Sequence, residues 1–158
     1  MIRILTGEIK TGKTTTLANW VKNKSNVGGI LTPVKNGVRC FYSILDETYF
    51  AMQATENDKE TLTIGKFVFS VSAFEEASLQ LQKCTTNANL KYLIIDEIGP
   101  LELIDNLGFY NLLITLLKMN RDWELILVVR LAMLQKMEEL LIANQQEFII
   151  NRKESFIC

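Results

Sequence analysis

Histidine is absent from this chain of 158 residues. Its absence excludes a Ser-His-Asp or Cys-His mechanism and any zinc site with a histidine ligand. Proton transfer must therefore use a carboxylate, a lysine or a tyrosine. Cysteine is scarce as well: Cys40, Cys84 and Cys158 lie far apart, and none belongs to a C-x-x-C pair. We interpret all three as free thiols in a reducing compartment.

The chain also lacks a surplus of charge of one sign and a long apolar run. With 17 basic and 18 acidic residues the net charge is −1, which gives no indication of binding to nucleic acid or to an anionic membrane. No apolar run approaches the roughly 18 residues of a membrane span. A glycine-containing motif begins at residue 7 and leaves no room for a signal peptide. We expect a cytoplasmic protein with one domain over residues 1–158, and the sequence names no protein partner.

What the chain does contain is the pattern G-x-x-x-x-G-K-T at residues 7–14. It follows a strand-like run and opens a helical pattern, which is the order of elements that a phosphate-binding P-loop, or Walker A motif, requires. The two fixed glycines let the backbone turn N–H groups toward a phosphate, and the helix points its positive dipole end at the same anion. We predict that a nucleoside triphosphate such as ATP or GTP contacts Gly7, Glu8, Ile9, Lys10, Thr11, Gly12, Lys13, Thr14 and Thr15.

Two side chains of the P-loop and two distant carboxylates are candidates for the chemistry. The Lys13 ammonium would lie on the β- and γ-phosphates, and the Thr14 hydroxyl would ligate Mg²⁺. Asp96 and Glu97 end an apolar run, which has the form of a Walker B motif when it follows a P-loop. Asp96 would hold Mg²⁺ together with Thr14. Glu97 would orient and deprotonate a water that attacks the γ-phosphate.

Apolar periodicity predicts an α/β protein with a mostly parallel sheet that helices cover on both faces. Unalternating apolar runs, typical of buried parallel strands, occupy residues 92–97 and 125–129. Other strands are predicted at 2–6, 27–32, 38–45, 48–54, 67–71 and 147–150, and helices at 13–24, 72–83, 103–119 and 131–143. Asn36-Gly37 indicates a hairpin, so we expect an antiparallel excursion around residues 27–54.

Three local signals refine this pattern. The paired Gly28 and Gly29 indicate a bend or a close approach between backbones. A capping box predicts that a helix opens at Ser72. The polar residues 56–60 indicate a surface loop, either mobile or a plain solvated turn.

These residues together resemble a family of small nucleoside triphosphatases known from thermophilic microbes and from humans. The matching segments span nearly the whole chain: 7–14, 28–29, 32–33, 37–39, 95–99 with 102–103, 129–130 and 151–152. The resemblance implies a compact three-layer, RecA-like P-loop NTPase fold and slow Mg²⁺-dependent hydrolysis with little base selectivity. It also implies that Arg130 stabilises charge near the γ-phosphate, as a third catalytic residue beside Lys13 and Glu97, and that Asn151 contributes to nucleotide binding.

The chain departs from the family pattern at three places. No inner glycine stands between the two fixed glycines of the P-loop. Val129 replaces a histidine that often precedes the strand-end arginine, and Val34 replaces an acidic residue after Thr32-Pro33. Only the outer glycines are fixed in the general motif, so phosphate binding is still expected.

Two other functions fit the same motifs. A nucleotide or small-molecule kinase shares the P-loop but needs an arginine-bearing lid to exclude water. The five arginines, at positions 3, 39, 121, 130 and 152, are not clustered, although Arg39 lies in the predicted excursion. A nucleotide-dependent interaction module would use slow hydrolysis to time a switch.

The P-loop assignment gives a direct test at Lys13. We expect Lys13→Ala to lose nucleotide affinity and activity together, because the triphosphate then lacks one compensating charge. Equilibrium binding of a nucleotide and phosphate release measure the two effects. Unchanged binding and turnover would contradict the assignment.

Overall fold

The centre of the molecule is a mostly parallel sheet, seen here in a computed structural model that describes residues 1–156. Its strands follow the order β10-β1-β9-β8-β2-β4-β3, with β5 pairing on β4. The first five strands in that order run parallel. The strands of the chain are β1 (Ile2–Gly7), β2 (Val27–Leu31), β3 (Val34–Lys35), β4 (Val38–Ser43), β5 (Thr48–Ala51), β6 (Thr61–Ile64), β7 (Phe67–Ser70), β8 (Tyr92–Ile98), β9 (Glu124–Arg130) and β10 (Phe148–Arg152).

Helices cover both faces of this sheet. They are α1 (Lys13–Lys22), α2 (Val71–Thr85), α3 (Pro100–Leu103), α4 (Tyr110–Lys118), α5 (Leu134–Ala143) and α6 (Lys153–Phe156). One apolar cluster joins Ile94 of β8 to Leu17 of α1 and Phe156 of α6. A larger cluster on the other face joins alternate residues of the same strands to α2, α4 and α5. The predicted three-layer α/β architecture is confirmed, and no helix in the described residues is long and apolar enough to cross a bilayer.

The predicted helix over residues 103–119 is wrong, because the chain forms two short helices with a turn between them. The turn contains Asn106 and Gly108, both at positive φ, at 56° and 58°. This left-handed conformation cannot continue a right-handed helix. The side chain of Glu102 accepts a hydrogen bond from the Phe109 N–H at 3.2 Å, which satisfies a donor near the start of α4.

The predicted start of α2 at Ser72 is also wrong. The helix is capped by Ser70, whose hydroxyl accepts a hydrogen bond from the Ala73 N–H at 3.3 Å. The cap lies two residues earlier than the capping-box pattern indicates, because Ser70 is the residue with extended backbone angles. The strand predicted at 67–71 accordingly ends at Ser70.

The antiparallel excursion extends further than predicted. The Asn36-Gly37 hairpin joins β3 to β4, and β4 pairs with both β2 and β5 in antiparallel register. A second hairpin follows, in which β6 pairs with β7. The sequence pattern missed β6. Within the polar loop at 56–60, Asp58 accepts hydrogen bonds from the Thr55 N–H and hydroxyl at 2.6 and 2.9 Å. Contacts within the loop therefore stabilise this turn.

Two of the three cysteines lie within the described residues. Cys40 and Cys84 are free and buried, as the prediction of free thiols requires. Desolvation is the main cause that raises the pKa of each thiol, which keeps it protonated. Cys158 lies outside the described residues.

Gly29 marks the close approach that the paired glycines predicted. Its φ is +135°, and a Cβ atom at this position would lie 2.6 Å from the Ile94 backbone nitrogen on β8. The backbone of β8 cannot move away without breaking the hydrogen bonds that pair it with β2. The β2–β8 pairing, and with it the position of the residues that follow β2, therefore requires glycine at this position.

We expect Gly29→Ala to reduce the free energy of unfolding by about 3 kcal/mol or more, because the methyl group meets a backbone at an unfavourable φ. Gly37→Ala is the matched control: Gly37 also has positive φ, at +79°, but nothing lies within 4 Å of its notional Cβ. Its cost should stay near 1 kcal/mol. Urea denaturation measures both values, and equal losses would contradict the steric argument.

Candidate active site

The candidate site lies at one edge of the sheet, where four parallel strands end side by side. In the strand register Gly7 of β1 pairs with Arg130 of β9, and Asp96 of β8 pairs with Val128 of β9. Thr32 immediately follows β2. The carboxyl ends of the strands thus bring together groups that are far apart in sequence, at the edge where open α/β sheets bind ligands.

The P-loop folds around the Lys13 side chain. Lys13 is 6% exposed, and its Nζ donates hydrogen bonds to the carbonyl oxygens of Gly7 at 3.0 Å and Glu8 at 2.7 Å. Desolvation lowers its pKa, an effect that the nearby carboxylates of Glu97 and Asp96 oppose. The ammonium is therefore placed inside the loop before any ligand binds.

The start of α1 has the form of an anion site. Its N-cap is Gly12, at φ 82°, and no side chain caps the helix. The first N–H groups of a helix without a side-chain cap remain available to an anion. Lys10, at φ 61°, supplies the second left-handed residue of the loop. Glu8, Ile9, Thr11 and Thr15 are exposed on this loop and its helix.

Asp96 joins the P-loop to the sheet. It is fully buried, and its Oδ2 accepts hydrogen bonds from the Thr14 hydroxyl at 2.7 Å and from the Thr32 N–H at 3.1 Å. Its Oδ1 is buried and has no hydrogen-bond partner among the described residues. Burial raises the pKa of Asp96, and the bonds from Thr14 and Thr32 oppose that shift.

These donors fit a magnesium ion. A hydroxyl and a carboxylate oxygen are hard ligands, and Mg²⁺ typically takes one or two protein oxygens and completes its shell with phosphate oxygens and water. Thr14 and the unpartnered Oδ1 of Asp96 supply that number. Within residues 1–156 no group of three His, Cys, Asp or Glu side chains forms a complete metal cage, so an ion here would depend on the nucleotide for ligands.

Glu97 lies between two arginines. Its Oε1 accepts a short hydrogen bond from Arg130 Nε, and its Oε2 lies 3.7 Å from Arg39 Nη1. The Glu97 side chain is 15% exposed, whereas the side chains of Arg130 and Arg39 are 36% and 35% exposed, so the carboxylate is better shielded from water than its partners. Sequence reasoning placed Arg130 near the phosphate but did not foresee its contact with Glu97, and it considered Arg39 only as a lid residue.

Glu102 is a buried carboxylate that stabilises the turn after β8, next to the candidate site. It is 3% exposed, and its Oε2 accepts a hydrogen bond from the Gly99 N–H at 3.0 Å while its Oε1 accepts the bond from Phe109. Desolvation raises the pKa of this carboxyl to about 7. Because both oxygens are engaged by backbone groups, Glu102 positions the turn after β8.

On the opposite side of the P-loop lie β10 and α6. Asn151 pairs with Leu5 in the sheet, and its Oδ1 is buried without a hydrogen-bond partner among the described residues. Lys153 Nζ donates a hydrogen bond to the Thr11 carbonyl at 3.2 Å. Sequence reasoning missed Lys153; the one signal available was its position two residues after Asn151.

A mostly parallel sheet with a P-loop after β1, a buried carboxylate near the carboxyl end of β8 and helices on both faces defines a P-loop NTPase fold. A family model described as NTPase matches residues 3–151, so the chain belongs to the NTPase family.

Two solved structures share this fold. THEP1 from the hyperthermophile Aquifex aeolicus is 19% identical, with a TM-score of 0.70 over 96% of this chain and 89% of that one. A human cancer-related nucleoside triphosphatase is 22% identical, with a TM-score of 0.63 over 94% of this chain and 86% of that one. No curated protein sequence matches the chain.

Glu102 predicts a pH dependence of stability. Its pKa is raised from 4.5 to about 7 on folding, so the folded state binds the proton more tightly. That contribution is complete below pH 4.5 and is lost as the pH rises through about 7. Glu102→Gln removes it and leaves one backbone N–H without an acceptor, at a cost of about 1–3 kcal/mol. The stability difference between wild type and variant should therefore shrink as the pH rises.

Denaturant unfolding at a series of pH values measures this difference. Glu75→Gln, at an exposed glutamate of α2, is the control and should give a constant difference. A wild-type advantage that grows with pH would mean that folding favours the ionised carboxylate.

Proposed function

We propose that the protein is a Mg²⁺-dependent nucleoside triphosphate hydrolase with broad base specificity and a slow rate. The observation that carries the proposal is the 2.7 Å hydrogen bond between Thr14 and Asp96. It joins the P-loop hydroxyl to a buried carboxylate near the carboxyl end of β8, which β9 separates from the P-loop strand β1. P-loop NTPases combine their phosphate and metal ligands in this way. Membership in the NTPase family supports the same reaction.

Each site residue has a role in this reaction. The P-loop N–H groups and Lys13 bind the β- and γ-phosphates. Asn151, whose buried Oδ1 has no partner among the described residues, would contribute to nucleotide binding. Thr14 and Asp96 would hold Mg²⁺, which supplies charge neutralisation on the phosphate oxygens when bound.

The chemical step is the attack of water on the γ-phosphorus. A new P–O bond forms, the bond to the β-phosphate oxygen breaks, and the nucleoside diphosphate leaves with the electron pair. Glu97 accepts the proton of the water. Arg130 meets the charge on the γ-phosphoryl oxygens.

The ion pair between Glu97 and Arg130 gives a physical reason for a slow rate. A carboxylate oxygen that accepts a charge-assisted hydrogen bond from an arginine is not free to accept one from the attacking water. The γ-phosphoryl oxygens compete for the same guanidinium, so their arrival frees Glu97 for the water. The second arginine, Arg39, lies 3.7 Å from the other carboxylate oxygen of Glu97.

Broad base specificity rests on the kind of contact available. The loop contacts are made by backbone N–H groups and by Lys13, all directed at phosphate oxygens, and these are common to every nucleoside triphosphate. Phosphate release from ATP, GTP, CTP and UTP in the presence of Mg²⁺ tests the proposal. Rates within about tenfold of one another would support it.

Glu97→Gln is the sharpest test of the mechanism. The amide keeps the shape of the side chain but cannot accept the proton, so hydrolysis should fall by a factor on the order of 10² to 10⁴ while nucleotide binding survives. Single-turnover phosphate release and a fluorescent nucleotide titration measure the two quantities. Glu75→Gln serves as the surface control.

A Glu97→Gln variant with the wild-type rate would mean that another group handles the proton. Arg130→Ala then separates the two functions of the ion pair. If Arg130 meets the γ-phosphoryl charge, kcat falls at least about tenfold with the fold intact. If it only pairs with Glu97, kcat stays near normal or rises.

A further inference from the structure

Beside the candidate active site lies a cavity of about 300 Å³, a size within the range of small-molecule sites. It begins at Ile9 and Lys10 of the P-loop and extends under the antiparallel excursion. Its walls combine residues of β4, β6 and β7 with the ends of β2, β8 and β9. Its polar part, at Lys10, Glu97 and Arg130, adjoins the place proposed for the γ-phosphoryl group, and none of the roles assigned above requires its aromatic part.

One end of the cavity is aromatic and apolar. Phe41, Phe74 and Phe109 form its base, with ring centroids 5.1 Å apart for Phe41–Phe74, 5.8 Å for Phe41–Phe109 and 5.1 Å for Phe74–Phe109. Phe67 and Phe69 of β7 stack on each other at the mouth. Such a wall binds a flat apolar ring by contact area and by edge-to-face packing.

The other end is polar and carries more positive than negative charge. Lys10, Arg39 and Arg130 line it together with the carboxylate of Glu97. Arg130 is engaged with Glu97, but the Arg39 guanidinium donates no hydrogen bond to any residue of the described chain and is 35% exposed. Glu102 also borders the cavity, with both carboxyl oxygens bonded to backbone N–H groups. Arg39 is thus a cation with unused donors at the end of an apolar cavity.

No residue of the aromatic part of this cavity has a role in the proposed binding of the nucleotide. In the reaction proposed above, on which this step rests, the γ-phosphoryl group lies between Lys13 and Glu97. The nucleoside is attached at the other end of the triphosphate, away from Glu97. The cavity lies beyond the γ-phosphoryl group, next to Glu97, where a second molecule fits.

We propose that the cavity is a binding site for a small aromatic carboxylate, with its ring against Phe41, Phe67 and Phe74 and its carboxylate on the guanidinium of Arg39. An arginine binds a carboxylate through paired N–H donors, and the aromatic wall excludes a strongly hydrated inorganic anion. The ligand is held beside Glu97, on the phosphoryl side of the nucleotide.

Calorimetric titration of the nucleotide-free protein with 2-naphthoate tests the site. We expect saturable one-to-one binding, at least about tenfold tighter than that of the neutral 2-naphthamide, because the amide cannot pair with Arg39. Arg39→Gln should bind the acid and the amide equally. Circular dichroism and the Tm of each variant confirm its fold.

Two neighbouring residues of β7 provide matched variants. Phe67 and Val68 are similarly exposed, at 46% and 43%, but only Phe67 lines the cavity. Phe67→Ala should weaken 2-naphthoate by about three- to tenfold, and Val68→Ala should leave its affinity unchanged. Phosphate release without naphthoate should be the same in both variants.

Several outcomes would overturn the proposal: no saturable binding at millimolar naphthoate, equal affinities for acid and amide, or equal effects of the two β7 variants. If Phe67→Ala weakens a non-hydrolysable ATP analogue as much as naphthoate, the cavity holds the nucleobase instead. Failure of the hydrolase proposal is seen separately, in phosphate release from wild type, since naphthoate is titrated without nucleotide.

Discussion

The buried carboxylate of Asp96 is the group around which the site is assembled. Removing a charged carboxylate from water is unfavourable, and only one of its oxygens is satisfied, by Thr14 and by the backbone of Thr32. These two bonds join α1, β8 and the residue that follows β2. The remaining oxygen has no partner among the described residues and is the position at which a cation would bind. Folding and metal binding would therefore be coupled at this position.

The ion pair between Glu97 and Arg130 connects the end of β9 to the candidate active site. In the proposed reaction, the Glu97 oxygen that Arg130 occupies would become available to water only when phosphate competes for the same guanidinium. Arg39 of β4 joins the same group of charges, because its Nη1 lies 3.7 Å from Glu97 Oε2. The antiparallel excursion thereby contributes a charge to a site that otherwise belongs to the parallel sheet.

The antiparallel excursion also forms part of the cavity beside the candidate active site. A parallel sheet with a P-loop needs only β1, β8 and their neighbours to bind a triphosphate. Strands β4, β6 and β7 line the aromatic cavity. Phe41 of β4 packs against Phe74 and Phe109, and Phe69 of β7 packs against Phe74. Glu102 holds the turn that carries Phe109, so a buried carboxylate contributes indirectly to the cavity wall.

The sequence by itself determined the features that depend on short-range chemistry. The P-loop could be predicted because its glycine spacing sets a local backbone path. Asp96 and Glu97 could be predicted because they end an apolar run. The parallel strands and most helices follow from apolar periodicity. The close approach of two backbones at Gly29 follows from the paired glycines. Each of these signals is contained in a segment of a few residues.

Tertiary structure alone decided what depends on contacts between distant segments. The approach of Arg39 and Arg130 to Glu97 requires the strand order β9-β8-β2-β4, which no local pattern encodes. The contact of Lys153 with Thr11 spans 142 positions. The break between α3 and α4 arises where the turn at Asn106 and Gly108 is held by Glu102, and the cavity forms only when the excursion closes over the sheet. In these cases the energy lies in long-range packing and buried polar contacts, which propensity and periodicity do not report.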